Sequence, residues 1–186
     1  MSDSRSIDQL IAEIEAGFRP KYVYFWGHTP RKASVVDKSC FSQWFPSPFR
    51  VDGVDYSTAE HFMMAGKARL FGDAEMEANI LAAEHPNAAK KFGRKVRNFD
   101  QAAWAQHRYQ IVLQANLAKF QQNPAMRDFL LSTAPRVLVE ASPYDRIWGI
   151  GMDANHADVA DPTKWNGLNL LGFVLMDVRA QLMNGE

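Results

Sequence analysis

Glu60 and Lys67 stand seven residues apart in the stretch Y-S-T-A-E-H-F-M-M-A-G-K-A, from Tyr56 to Ala68. At about 3.6 residues per helical turn, seven steps bring a side chain back to nearly the same azimuth, so carboxylate and amine share one face. They lie about 10 Å apart along the axis, too far for an i,i+4 ion pair. Two opposite charges separated by Met63 and Met64 must be solvated, paired elsewhere, or lining a pocket. On a pocket wall, a carboxylate can stabilise a cationic transition state or take a proton, and an amine can give one.

Each group also has a plainer reading. S-T-A-E, from Ser57 to Glu60, fits the capping box, in which Glu answers the N-cap residue. A carboxylate in the first turn meets the positive end of the helix dipole, which favours its charged form. A catalytic Glu60 is therefore expected to be a base or cation stabiliser, not a proton donor. Lys67, taken alone, is more often a solvated helix lysine. His61 is expected to pack or hydrogen-bond rather than bind metal.

Further along, V-E-A-S-P-Y-D-R-I-W-G (Val139 to Gly149) reads as a strand ending in Glu140 and running into a loop with Asp145, Arg146 and Trp148. Groups just past a strand end sit on a rigid support, although a surface turn with Trp148 as a core plug fits as well. Trp104 and Arg108 lie one turn apart on a stripe that continues through Ile111 and Ala115. An Arg on such a stripe needs a partner or a pocket. Trp104 alone is more often a core residue than a ligand platform. Lys90 to Arg97 (K-K-F-G-R-K-V-R) carries charge of one sign. It is either solvated or able to hold one phosphate, with the forked donors of Arg94 best suited to that.

The elements that must position these groups follow from pattern. Ile7, Leu10, Ile11 and Ile14 predict an amphipathic helix from about Asp3 to Ala16, stopped by Gly17. Y-V-Y-F-W-G predicts a strand ending at Gly27, followed by prolines and the Asp52-Gly53 turn. Helices are predicted from Ser57 to Phe71, Asp73 to Ala83, Pro86 to Gly93, Asp100 to Gln122 and beyond Pro124. Val137 to Glu140 predicts a strand, and residues 145–166 an irregular stretch. A last helix, Asn169 to Met183, is apolar on most faces. The expectation is one multihelical, mainly α domain over residues 1–186 with a few short strands.

Composition bounds the rest. The chain has 186 residues, 47% hydrophobic and 23% charged, with equal numbers of acidic and basic side chains. Zero formal charge gives no sign of tight non-specific binding to a polyanion. One cysteine, Cys40, excludes an internal disulfide and suits a reducing compartment, so a cytoplasmic location is expected. No apolar run approaches the roughly 20 residues needed to span a bilayer. There is no GxGxxG, P-loop, HExxH or nucleophile elbow, and no zinc spacing. D-A-N-H (Asp153 to His156) is a weak metal signal.

Six ordered segments together resemble the NADAR (YbiA-like) family. They are F-S-Q-W-F-P-S-P-F (Phe41–Phe49), the Tyr56–Ala68 stretch, A-K-K-F-G-R (Ala89–Arg94), W-x-x-x-R (Trp104–Arg108), L-V-E-A-S-P-Y-D-R-I-W-G (Leu138–Gly149) and W-N-G-L-N-L-L-G (Trp165–Gly172). The resemblance runs from Tyr22 to Leu182, with residues 1–17 as an added N-terminal helix. It implies a mainly helical enzyme that cleaves N-glycosidic bonds without metal or organic cofactor. The substrates implied are phosphoribosyl-aminopyrimidines of riboflavin biosynthesis or, in other members, ADP-ribose on guanine in nucleic acid. By motif match it makes Glu60, Lys67, Trp104 and Asp145 catalytic, and Trp44, Arg94, Arg108, Trp148 and Asn169 candidates for substrate binding. Two departures stand out: Gln43 where many relatives have Asn, and Met64-Ala65 where many have Gln-Ala. A non-catalytic ADP-ribose or nucleotide-binding module is the alternative of a different class.

Overall fold

Local signals set most element boundaries in the computed structural model, which describes residues 6–32 and 35–185. In chain order the elements are α1 (Ile7–Glu15), β1 (Tyr22–Phe25), β2 (Phe49–Val51), β3 (Val54–Tyr56), α2 (Ala59–Leu70), α3 (Ala74–Leu81) and α4 (Pro86–Gly93). Then follow α5 (Gln101–Gln122), α6 (Pro124–Leu131), β4 (Val137–Glu140) and α7 (Leu170–Asn184). The fold is mainly α with short strands, as the pattern predicts. The first helix opens at Ser6, whose hydroxyl accepts from the Gln9 amide. Its expected start at Asp3 lies outside the described residues. Contacts divide the chain into two compact units, Gln43–Pro124 and the pair of segments Met1–Ser42 and Ala125–Glu186.

The Gln43–Pro124 unit is built around α2. Its residues from Ala59 to Ala65 are buried on every side, and α3, α4 and α5 all pack against it. The β2–β3 hairpin precedes it, closed by Asp52 and Gly53, both at positive φ (50° and 79°), the backbone a two-residue hairpin turn requires. Phe49 and Tyr56 from the hairpin stack on each other and meet Phe62 of α2 at a tilt, with ring separations of 4.8 to 6.0 Å. These rings fix the hairpin against the first turn of the helix.

In the other unit β1 and β4 pair in parallel, from Tyr22↔Val137 to Phe25↔Glu140. Helix α7 packs on β4, and most of its residues from Leu171 to Val178 are buried. Val137 donates to the Lys21 carbonyl just before β1 and Ala141 to the Phe25 carbonyl, so Leu138 and Glu140 present their backbone groups to the opposite edge. Asn169 closes that edge. It is fully buried in the left-handed conformation (φ 52°), its Oδ1 accepts from the Glu140 amide at 2.9 Å, and its Nδ2 donates to the Leu138 carbonyl at 3.0 Å. One side-chain amide, together with the Ile150 amide that donates to the Glu140 carbonyl, thus takes places a third strand would fill.

Asn169→Ala strips two backbone groups of β4 of their partners. Stranding a buried polar group costs about 1–3 kcal/mol, so denaturant unfolding of this variant should show a loss of at least that size. An unchanged midpoint would contradict the assigned role of the clasp.

Candidate active site

Helix α2 begins one residue later than the capping pattern implies. Thr58, not Ser57, is the N-cap, and its hydroxyl oxygen accepts from the His61 amide. The third helical position is therefore His61, and the Ser57–Glu60 capping box does not form. His61 ties the cap down. Its Nε2 lies 3.0 Å from the Ala83 carbonyl, which can only accept, so Nε2 carries the proton and Nδ1 accepts from the Thr58 hydroxyl at 2.8 Å. Burial lowers the His61 pKa, in keeping with a neutral ring. Glu60 is left at the second helical position with its amide donating to the Gln43 carbonyl at 2.9 Å, and it is only 2% exposed. The cap reading of Glu60 fails on this register.

Two turns on, in the last turn of α2, Lys67 is half-buried. Its Nζ donates to the Gly93 carbonyl at 2.8 Å and lies 4.2 Å from the centre of the Phe99 ring and 5.9 Å from that of Trp104. Burial lowers its pKa below that of an ordinary lysine. The aromatic faces and the helix C-terminus favour the cation in return. A solvated surface lysine is excluded. The result is an ammonium held in place that gives up its proton more readily than a free one.

Met64 lies between the two charges for a packing reason. It sits against Gly93 so closely that a Cβ there would overlap its sulfur. Helix α4 can therefore bring the Gly93 carbonyl within reach of Lys67 only because residue 93 has no side chain. Trp104 is buried, Arg108 and Trp44 are half-buried, and the Lys90 ammonium lies 5.6 Å from the Trp44 ring centre. In the basic run, Arg97 pairs with Asp73 and Glu75, whereas Arg94 is exposed at the end of α4. Hydrogen bonds from the Arg97 side chain and backbone hold Asp73 well below the usual carboxylate range.

In the other unit Asp145 and Trp148 share one turn. Asp145 Oδ1 accepts from the amides of Ile147 and Trp148, both at 2.8 Å, while Ser142 Oγ accepts from the Asp145 amide. Asp145 Oδ2 has no hydrogen-bond partner among the described residues, which leaves one carboxylate oxygen for other work. The turn is anchored by Gly167, where a Cβ would overlap the Gly149 carbonyl and the Arg146 backbone. Asn169, expected to bind substrate, has both ends of its side-chain amide engaged by β4.

Phe99 and Gln43 were not singled out as site residues by the sequence. Phe99 is 42% exposed and lies in a loop without periodicity, held by Phe71 at 5.3 Å between ring centres. Its only sequence signal is its place just after the basic run. Among the described residues no helix is long and apolar enough to cross a membrane.

These features have counterparts in known proteins. The sequence profile of the NADAR domain matches residues 24–183. N-glycosidase R617 of Acanthamoeba polyphaga mimivirus is 43% identical over 166 residues, 87% of this chain and 96% of the relative. N-glycosidase YbiA of Escherichia coli (strain K12) is 34% identical over 146 residues, 78% of this chain and 81% of the relative. The NMR structure of the E. coli protein YbiA is similar with a TM-score of 0.72 at 28% identity, covering 90% of this chain and 88% of that one. The fold is thus the mainly helical one seen in YbiA. The chain belongs to the NADAR family.

Gly93→Ala should force α4 away from Met64, breaking the Lys67–Gly93 bond and costing about 1–3 kcal/mol by overpacking. Adding Met64→Ala makes room, so the double variant should regain part of the stability lost by Gly93→Ala in chemical denaturation. Additive losses would contradict the packing account.

Proposed function

We propose that the chain, an N-glycosidase of the NADAR family, hydrolyses the ribosyl C–N bond of phosphoribosyl-aminopyrimidines. The observation that carries this reading is Glu60: a buried carboxylate at the start of the central helix, relieved of the capping duty its sequence suggests. Breaking the bond builds positive charge on the sugar ring, and a carboxylate beside it lowers the barrier. Water supplies hydroxide to the anomeric carbon, its proton passes to a carboxylate, and the leaving nitrogen takes a proton in exchange. Glu60 is the cation stabiliser or base. Lys67 is the proton donor, or, in a variant of the mechanism, the amine that forms a Schiff base with the opened sugar. Asp145 Oδ2 suits the activation of water. Trp104 walls the base, with Trp44, Arg108 and Trp148 as further substrate contacts, and Arg94 holds the phosphate through its forked donors. No organic cofactor or metal takes part in this scheme.

A second substrate reading rests on the exposed Arg94 and Lys95: removal of ADP-ribose from guanine in nucleic acid. Zero net charge favours the small molecule. A pocket that binds ADP-ribose without turnover is the non-catalytic alternative.

Chromatography of the protein incubated with a ribosylated aminopyrimidine phosphate, ADP-ribosyl-guanine DNA and NAD tests the substrate. Free aminopyrimidine and ribose phosphate are expected from the first alone. Turnover of only the DNA would overturn the substrate assignment, and tight binding of ADP-ribose by calorimetry with no product would overturn the enzyme assignment.

The Lys67 role has its own test. A donor must be protonated, so the rate should fall as pH rises through the lowered lysine pKa. Lys67→Arg, whose guanidinium stays charged, should move that alkaline limb to higher pH or remove it. An unchanged limb would exclude Lys67 as the donor. Borohydride reduction during turnover should trap a Lys67 adduct only if the Schiff-base variant operates.

A further inference from the structure

Glu60 is linked to α5 through a buried amide pair. Its backbone N–H donates to the Gln43 carbonyl at 2.9 Å. The Gln43 side-chain oxygen, in turn, accepts from Asn116 Nδ2 at 2.8 Å, and the same Nδ2 donates to the Val112 carbonyl at 2.8 Å. The orientation of both amides is set by that last contact. Val112 O can only accept, so it must face the Asn116 nitrogen, and Gln43 must then turn its oxygen toward Asn116.

This arrangement leaves two atoms stranded. Gln43 Nε2 and Asn116 Oδ1 are buried without a hydrogen-bond partner among the described residues, in side chains 6% and 0% exposed. Each stranded group carries an uncompensated desolvation penalty, whereas a pair of apolar side chains of similar shape would fill the space at little or no cost. Stability alone therefore gives no reason for two amides at this place. An unmet buried polar group of this kind calls for another explanation, and a role in function is one.

We propose that Gln43 and Asn116 are positioning residues for Glu60. Asn116 pins the Gln43 side chain, which fixes the Gln43 carbonyl, which in turn holds the peptide of Glu60 and with it the direction in which the carboxylate leaves the helix. The inference rests on the reading of Glu60 as the catalytic carboxylate. A misplacement of about 1 Å at a reacting group can cost roughly 10²-fold in rate, so a relay three bonds long has leverage on turnover.

The test is the double variant Gln43→Met/Asn116→Leu, assayed on the hydrolysed substrate beside Glu60→Gln. The relay predicts an unfolding midpoint equal to or above that of the wild type, kcat lower by roughly 10- to 100-fold, and KM within about twofold. Loss of the fold would overturn it, because the amides would then be structural. A raised KM with kcat preserved would also overturn it, because the amides would then touch substrate directly. A normal double variant beside an inactive Glu60→Gln protein overturns the relay and spares the functional reading. A fully active Glu60→Gln protein overturns both.

Discussion

The complete burial of the first two turns of α2 is the constraint from which the site follows. A helix surrounded on every side has no water at its start, so its free amide donors must find partners inside the protein. The Thr58 hydroxyl takes the His61 amide and the Gln43 carbonyl takes the Glu60 amide, while the His61 ring holds the Thr58 hydroxyl in place. With those two partners in place, Thr58 and not the carboxylate of Glu60 is the cap. The same burial requires neighbouring helices to come close. Gly66 lies against Ile111 of α5, and Gly93 of α4 lies against Met64, both too tightly for a Cβ. Packing and chemistry meet at Gly93, since the residue that lets α4 approach also offers its carbonyl to Lys67.

Two charged groups on one helix thereby end in different surroundings. Glu60 lies at the N-terminal end, where the dipole favours an anion, and Lys67 at the C-terminal end, where it favours a cation. Desolvation works against the charge on Lys67 and lowers its pKa, while Phe99 and Trp104 present aromatic faces that attract it. A carboxylate to meet positive charge and an amine ready to release a proton are what cleavage of an N-glycosidic bond asks for.

Much of this is legible in the sequence itself. The long helix from Gln101, the β4 strand and the hairpin turn at Asp52-Gly53 follow from periodicity and turn chemistry, and their observed bounds lie within a residue or two of those expected. The start of α2 was harder, because Ser57 and Thr58 are both good N-caps, and Glu60 and His61 both offer a third-position partner. A shift of one residue decides whether Glu60 is a cap. That decision comes from Ala83, which is distant in sequence and anchors His61. The parallel pairing of β1 with β4 joins segments more than a hundred residues apart, and no local pattern encodes it. The clasp by Asn169 and the relay through Asn116 are equally long-range, and a polar residue that serves backbone at a distance looks in sequence like one that serves a ligand.

The account stands on Glu60 acting in chemistry and not in folding. Turnover and denaturant unfolding of Glu60→Gln, measured on the same preparation and compared with Thr58→Ala, separate the two most directly. The account predicts that Glu60→Gln unfolds at nearly the wild-type midpoint while hydrolysis all but disappears, and that Thr58→Ala loses about 1 kcal/mol of stability as a true cap does. A Glu60→Gln protein that unfolds early and still turns over substrate would contradict it.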